Sequence, residues 1–119
     1  MTAAVVDASA LAALLFGEPA AEEVSRELGE QQMMAPTLIV YELGNTCWKK
    51  VRRSPGQARE LEQAYALLGE LDLVLHDVDT AGVLALALER DLTFYDAAYV
   101  WLARSLSLPL VTLDARLRG

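Results

Sequence analysis

The chain has 119 residues, 54% of them hydrophobic, which is enough for one domain with its own buried core. No uninterrupted apolar stretch approaches the roughly 20 residues that cross a bilayer, and Asp7 interrupts the segment where a signal peptide would need an apolar run. The formal net charge of −7 argues against a protein that binds nucleic acid through a broadly basic surface.

The first half of the chain alternates strand-like runs with helix-like segments. Strands are predicted at Ala3–Val6, which contains Val-Val and ends before Asp7, and at residues 32–35. Helices are predicted at residues 9–16, 20–30 and 36–53, with Pro36 in the first turn of the third helix.

The second half continues the same alternation after the helix breaker Ser-Pro-Gly at residues 54–56. Helices are predicted at residues 57–71, 79–90 and 96–106, with Asp79 as the N-cap of the second of these. Strands are predicted at residues 73–75 and 109–113.

Alternation of this kind favours a three-layer α/β/α sandwich around a short parallel sheet. We expect a single domain over residues 1–119. In such sheets, ligands bind beyond the carboxyl ends of the strands. Asp7 and Asp114 both follow a predicted strand, so they should lie at the same edge.

Four carboxylates occupy informative positions, and each also has a structural explanation. Asp7 and Asp114 follow strands and could be N-caps of the next helices. Asp96 opens a helix, and Thr93-x-x-Asp96 resembles a capping box. Glu42 lies inside the long helix among apolar residues and could point into solvent.

Considered together, the four acids are harder to explain as helix caps. If they converge on one edge they repel one another, and burying an unpaired carboxylate costs several kcal/mol or shifts its pKa. A divalent cation removes this penalty, because Mg²⁺ prefers carboxylate and water oxygens.

Four segments resemble, in order and over nearly the whole chain, the motifs of the PIN-domain family, whose nearest subgroup here is the VapC-type toxin. They are VVDASALAALL at 5–15, YELGN at 41–45, TFYDAAY at 93–99 and LVTLD at 110–114. The resemblance implies a ribonuclease that uses Mg²⁺ or Mn²⁺ to hydrolyse RNA phosphodiester bonds. Because water attacks rather than the ribose 2′-hydroxyl, the products should carry 5′-phosphate and 3′-hydroxyl ends.

The same resemblance assigns residues to the site. It implies that Asp7, Glu42, Asp96 and Asp114 form the catalytic, metal-binding acidic set. Four further residues would support that set: Ser9 and Thr112 by hydrogen bonding, Asn45 from the same helical face as Glu42, and Thr93 as a weaker candidate.

The resemblance also implies partners and a place of action. It favours a homodimer, and a small antitoxin protein with a segment that covers the active-site groove. Relatives usually continue past the Asp114 motif with another helix and an edge strand, so we expect that edge strand to be missing here. The single cysteine, Cys47, cannot form an internal disulfide, which is typical of a cytoplasmic protein.

Basic residues cluster at the end of the helix that carries Glu42. The cluster consists of Lys49, Lys50, Arg52 and Arg53, with Trp48 beside them. These cations could simply complement the helix dipole, or they could contact RNA phosphates while Trp48 stacks on a base. Arg104, Arg116 and Arg118 could form a second basic area.

The remaining notable residues have structural interpretations. Cys47 and the pair Met33-Met34 are expected in the core. His76 is expected to be structural or exposed, since one histidine cannot supply a His-rich zinc set. The run 83–88 is apolar around most of a helix, which predicts burial in the core or in a dimer interface.

Three other functions were weighed. A receiver-type phosphoacceptor domain would need paired acids after the first strand and a lysine after a late strand, and the only lysines here are Lys49 and Lys50. A catalytically weak or inactive PIN-fold binding module keeps the fold without the chemistry. PIN nucleases of RNA processing or DNA repair commonly carry further domains.

Overall fold

The sheet consists of four short parallel strands. In the computed structural model, which describes residues 2–118, their order is β3-β2-β1-β4. The strands are β1 (Ala3–Val6), β2 (Gln32–Pro36), β3 (Leu73–His76) and β4 (Leu110–Val111). The predicted parallel α/β architecture is confirmed, and β1, which is followed directly by Asp7, lies inside the sheet between β2 and β4.

Helices connect the strands and cover the sheet. They are α1 (Ala8–Phe16), α2 (Ala21–Leu28), α3 (Leu38–Arg53), α4 (Ala58–Ala66), α5 (Thr80–Arg90), α6 (Phe94–Leu106) and α7 (Ala115–Arg118). No helix within residues 2–118 is both long enough and apolar enough to cross a membrane.

Alternation along β1 divides the core into two layers. Ala4 and Val6 pack into a cluster with residues of α1 to α3, whereas Val5 packs against Leu102 and Ala103 of α6. This is the period-2 pattern of a strand that is buried on both faces. The helices therefore lie on opposite sides of the sheet, and the carboxyl ends of β1 and β4 remain open to one edge.

The predicted position of Pro36 is wrong. Pro36 is the last residue of β2, where it pairs with His76, and α3 begins only at Leu38. Proline has no N–H to give to the ladder and is tolerated best where pairing ends. The next N–H, that of Thr37, donates to the carbonyl oxygen of His76 and closes the strand.

Two other elements are shorter than predicted. The helix predicted at residues 57–71 is only α4, with single 3-10 turns before it (Pro55–Gln57) and after it (Leu67–Glu70). The strand predicted at 109–113 is only two residues long. Thr112, the first residue after this strand, donates its hydroxyl to Asp7.

The apolar run of α5 is only partly buried within a single chain. Val83, Leu86 and Ala87 are buried within the chain, but Leu84 is 50% and Leu88 77% exposed. Cys47 is buried in the core, as predicted. Met33 and Met34 are partly buried and pack against the core.

Candidate active site

Asp7 is held at the end of β1 by three hydrogen bonds. Its carboxylate accepts from Ser9 Oγ at 2.7 Å, from the backbone N–H of Ala10 at 3.0 Å and from Thr112 Oγ1 at 2.5 Å. Asp7 is thus the N-cap of α1, but its partners include a residue 105 positions later in the chain. The side chain is only 4% exposed.

The hydroxyls of Ser9 and Thr112 link the ends of β1 and β4. Ser9 Oγ accepts the N–H of Leu113 at 3.1 Å, and Thr112 Oγ1 accepts the N–H of Asp114 at 2.9 Å. Each hydroxyl therefore donates to Asp7 while it accepts from the segment after β4. This geometry fits the supporting role that the sequence predicted for both residues.

Glu42 lies at the same edge and does not simply point into solvent. It is half-buried on α3, and its Oε1 accepts a hydrogen bond from Tyr99 Oη at 2.5 Å. Tyr99 is almost fully buried. Sequence reasoning assigned no role to Tyr99, although its position three residues after Asp96 places both on one face of α6.

The electrostatics of Asp7 and Glu42 reflect burial and crowding of negative charge. Burial raises the pKa of Asp7 most, its three hydrogen bonds lower it, and the nearby Asp96 raises it further. Burial also raises the pKa of Glu42, against the hydrogen bond from Tyr99 and with the charges of Asp96 and Asp7. Three carboxylates from three different elements therefore interact at one edge.

Asp96 and Asp114 are joined by a residue that the sequence placed elsewhere. Arg116 Nη2 lies 2.6 Å from Asp114 Oδ2 and 3.5 Å from Asp96 Oδ2. Hydrogen bonds from Arg116 lower the pKa of Asp114. The sequence assigned Arg116 to a second basic area, but the structure places its guanidinium between two of the predicted acids.

Backbone capping fixes the start of α6. Thr93 Oγ1 accepts the N–H of Asp96 at 3.1 Å, so the Thr93-x-x-Asp96 pattern is a helix cap. Because Thr93 begins the helix, α6 starts at Phe94 and not at Asp96 as predicted. Thr93 touches the site through the backbone of Asp96.

No three or more histidine, cysteine, aspartate or glutamate side chains within residues 2–118 are grouped closely enough to hold one ion together. The donor chemistry nevertheless suits a hard divalent cation, since the predicted ligands are carboxylate oxygens and Arg116 already provides a positive charge between two of the acids. Mg²⁺ in proteins usually keeps several waters and binds through one or two carboxylates. A preformed set of three ligands is therefore not required.

The basic cluster at the end of α3 divides into different environments. Lys49 and Asn45 line a groove together with Glu42. Lys50 instead forms an ion pair with Glu18 at 2.7 Å.

The remaining residues at the end of α3, and the single histidine of β3, do not line that groove. Arg52 stacks on Trp48 at 5.2 Å from the ring centroid, and Arg53 is exposed at the helix end. His76 Nε2 lies 3.3 Å from Met34 Sδ, at the end of the edge strand β3. This is a structural position, as predicted.

Comparison with known proteins gives a consistent result. The family model described as PIN domain matches residues 4–119. The chain is 38% identical to Ribonuclease VapC3 of Pyrobaculum aerophilum, over 95% of this chain and 90% of that protein. It is 36% identical to Exonuclease VapC9 of the same organism, over 95% and 81%, and 34% identical to Ribonuclease VapC1 of Mycobacterium tuberculosis, over 98% and 90%.

A solved structure agrees with the sequence comparisons. The crystal structure of PAE2754 from Pyrobaculum aerophilum matches with a TM-score of 0.69 and 33% identity, over 98% of this chain and 84% of that one. A family match over nearly the whole length, joined to relatives of this identity and coverage, shows that the chain belongs to the PIN domain family, in the group of the VapC-type proteins.

Proposed function

We propose that this protein is a divalent-metal-dependent endoribonuclease that hydrolyses RNA phosphodiester bonds, and that it is the toxin of a toxin–antitoxin pair. The observation that carries the proposal is that two carboxylates from separate elements, Asp7 and Glu42, are held in place by hydrogen bonds. The nearby charge of Asp96 raises the pKa of both. The relatives named as ribonucleases support RNA as the substrate. PIN-family membership replaces the receiver-domain alternative.

In this proposal, Asp7, Glu42, Asp96 and Asp114 hold Mg²⁺ or Mn²⁺. When bound, the ion supplies electrostatic stabilisation of the negative charge that develops on the scissile phosphate. Ser9 and Thr112 orient the Asp7 carboxylate, and Tyr99 orients that of Glu42. A water adds to phosphorus as the bond to the 3′-oxygen breaks, which leaves 5′-phosphate and 3′-hydroxyl ends.

The predicted partners belong to the same proposal. The antitoxin would cover the groove beside Glu42, and the exposed Leu84 and Leu88 of α5 offer an apolar face to a second copy of the chain. A cellular RNA substrate requires action in the cytoplasm, where the thiol of Cys47 stays reduced. The homodimer and the antitoxin stay predictions.

The test is cleavage of RNA by the purified protein with Mg²⁺ or Mn²⁺. Besides mixed cellular RNA, a circular RNA is used, because only an internal cut opens a circle. We expect products whose 5′ ends ligate to an adapter without prior phosphorylation. EDTA should abolish cleavage, and Asp96→Asn should lower the rate on the order of 100-fold or more, since it removes charge at the reacting centre.

The matched control is Asp91→Asn, which removes one acid outside the site. Asp91 is an exposed helix cap with φ of 54°, a conformation that asparagine also adopts. It should cleave like the wild type. Metal binding without cleavage of any RNA would favour the inactive binding module instead, and equal rates for Asp96→Asn and Asp91→Asn would contradict the assignment of the site.

A further inference from the structure

A groove of about 530 Å³ opens directly beside Glu42, between α3 and the start of α6. The residues of its wall that could recognise a ligand are Tyr41, Glu42, Asn45, Thr46, Lys49 and Tyr95. We refer to this space as the tyrosine groove. None of the roles assigned so far accounts for its two tyrosines.

Both tyrosines are unusually exposed for aromatic side chains. Tyr41 on α3 is 80% exposed and Tyr95 on α6 is 60% exposed. Tyr95 meets the ring of Phe94 edge-on, with 6.2 Å between the ring centroids, which gives it lateral support. Two exposed rings that line one groove beside an acidic site indicate a ligand with an aromatic or planar face.

The polar groups of the groove run in a row along α3. Glu42, Asn45 and Lys49 lie at helical spacings of three and four residues, so they share one face. The seven helical steps from Glu42 to Lys49 cover about 10 Å along the helix axis, the length scale of one nucleotide. Lys49 adds a positive charge at the end of the row away from the carboxylate.

This combination matches a nucleotide better than other small ligands. A base can stack on an aromatic side chain regardless of its identity. The Asn45 amide offers both a donor and an acceptor for the edge of a base. A phosphate group would complement Lys49, whereas the other lysine, Lys50, is already engaged by Glu18.

We propose that the tyrosine groove is a nucleoside subsite, in which the base next to the scissile phosphate stacks on Tyr41 and Tyr95 while Lys49 contacts a neighbouring phosphate. The inference rests on the proposed function, because it takes RNA as the substrate. The subsite requires an unpaired base, since a base inside a duplex cannot expose its face to the tyrosines. The nuclease therefore selects single-stranded RNA.

Binding of nucleoside 5′-monophosphates to the Mg²⁺-loaded protein tests the subsite, because these probes contain no bond to be cleaved. We expect them to shift the amide NMR resonances of Tyr41, Tyr95 and Lys49. Ribose 5-phosphate, which lacks a base, should shift at most the resonance of Lys49 and leave those of the two tyrosines in place. Tyr41→Ala and Tyr95→Ala should each weaken binding about 5- to 150-fold, the value of one stacked base. Tyr41→Phe and Tyr95→Phe keep the rings and should bind within about twofold of the wild type.

Several results would overturn the subsite. Ribose 5-phosphate could produce the same shifts, the alanine variants could bind as tightly as the wild type, or no monophosphate could perturb the groove. The last result would leave the groove to a protein partner. Because both tyrosines are exposed, the alanine variants should unfold at the wild-type temperature, which separates lost stacking from lost folding.

Assaying RNA cleavage with the same proteins distinguishes this inference from the proposed function. If the wild type cleaves RNA but the alanine variants still bind monophosphates fully, only the subsite is wrong. If the wild type binds monophosphates in a tyrosine-dependent way but cleaves no RNA, the subsite stands and the hydrolytic function fails.

Discussion

Arg116 contacts two of the four predicted acids through its guanidinium. Its hydrogen bonds to Asp114 are short, at 2.6 and 3.1 Å, and its distance to Asp96 is longer, at 3.5 Å. Because the side chain is exposed, it can leave the acids without disturbing the core. A divalent cation that binds Asp96 therefore competes with Arg116 for the same carboxylate.

We predict that Arg116→Gln raises the affinity for Mn²⁺ and Mg²⁺ by about 2- to 5-fold, because an exposed ion pair has a modest strength. Calorimetric titration of the metal-free protein measures this change. Arg104→Gln, which removes the same charge from the last turn of α6 away from the acids, should leave the affinity unchanged. A lower affinity in Arg116→Gln would instead mean that Arg116 chiefly positions Asp114 for the metal.

At the scale of elements, the pairing of α5 and α6 depends on a close approach at Gly82. A Cβ atom at this position would lie 2.6 Å from Trp101 Nε1 and 3.2 Å from Asp79 Oδ2. Because 2.6 Å is shorter than real Cβ contacts, the Trp101 ring or the backbone of α5 would have to move. The absence of a side chain at Gly82 therefore allows the Trp101 ring of α6 to lie directly against α5.

Gly82→Ala should destabilise the protein. Overpacking lowers the free energy of unfolding by about 1–3 kcal/mol. Alanine in place of glycine raises it by roughly 1 kcal/mol through its higher helix propensity, so we expect a net loss. Urea unfolding measures the difference. Gly69→Ala, where no atom lies within 4 Å of the new Cβ, is the control, and adding Trp101→Phe to Gly82→Ala should restore part of the loss. A Gly82→Ala protein at least as stable as the wild type would contradict the close approach.

The elements show which parts of the structure could be predicted from sequence. Continuous apolar runs such as Ala3–Val6 predicted strands buried on both faces, and they were found. The order of the elements predicted Asp7 and Asp114 at one edge, whereas Glu42 was assigned to the site only through the family resemblance. Pro36 was misplaced because its environment is set by pairing with β3, and Arg116 was missed because it reaches Asp96 through space over twenty residues.

For the whole molecule, the net charge of −7 and the buried acids affect stability in the same direction. The folded protein keeps Asp7 and Glu42 at pKa values above the ordinary 3.8 and 4.5. Above those ordinary values the folded state therefore binds more protons than the unfolded chain, and its stability decreases as the pH rises. Asp114 contributes to the pH dependence of stability with the opposite sign, because its pKa is lowered in the folded protein. That contribution changes only below pH 3.8, the ordinary pKa of the carboxyl group.

We predict that, in EDTA, the unfolding temperature falls as the pH rises above the ordinary carboxyl pKa values of 3.8 and 4.5. The slope should be shallower for Asp7→Asn, which removes one of the two raised groups. Circular dichroism at a series of pH values measures both slopes. Saturating Mg²⁺ should reduce the fall, because the cation binds the ionised carboxylates. An Asp7→Asn slope equal to that of the wild type would contradict the contribution of Asp7.

The hydrogen bond from Thr112 to Asp7 joins residues 105 positions apart, and it has a consequence for the order of events during protein synthesis. The ribosome releases the N-terminal segments first, so β1, α1 and α3 leave it well before β4. Until residues 110–114 are free, Asp7 lacks its Thr112 partner and Asp114 is absent from the edge. A nascent chain therefore carries an incomplete acidic edge until residues 110–114 have left the ribosome, and the proposed nuclease cannot be competent before that point.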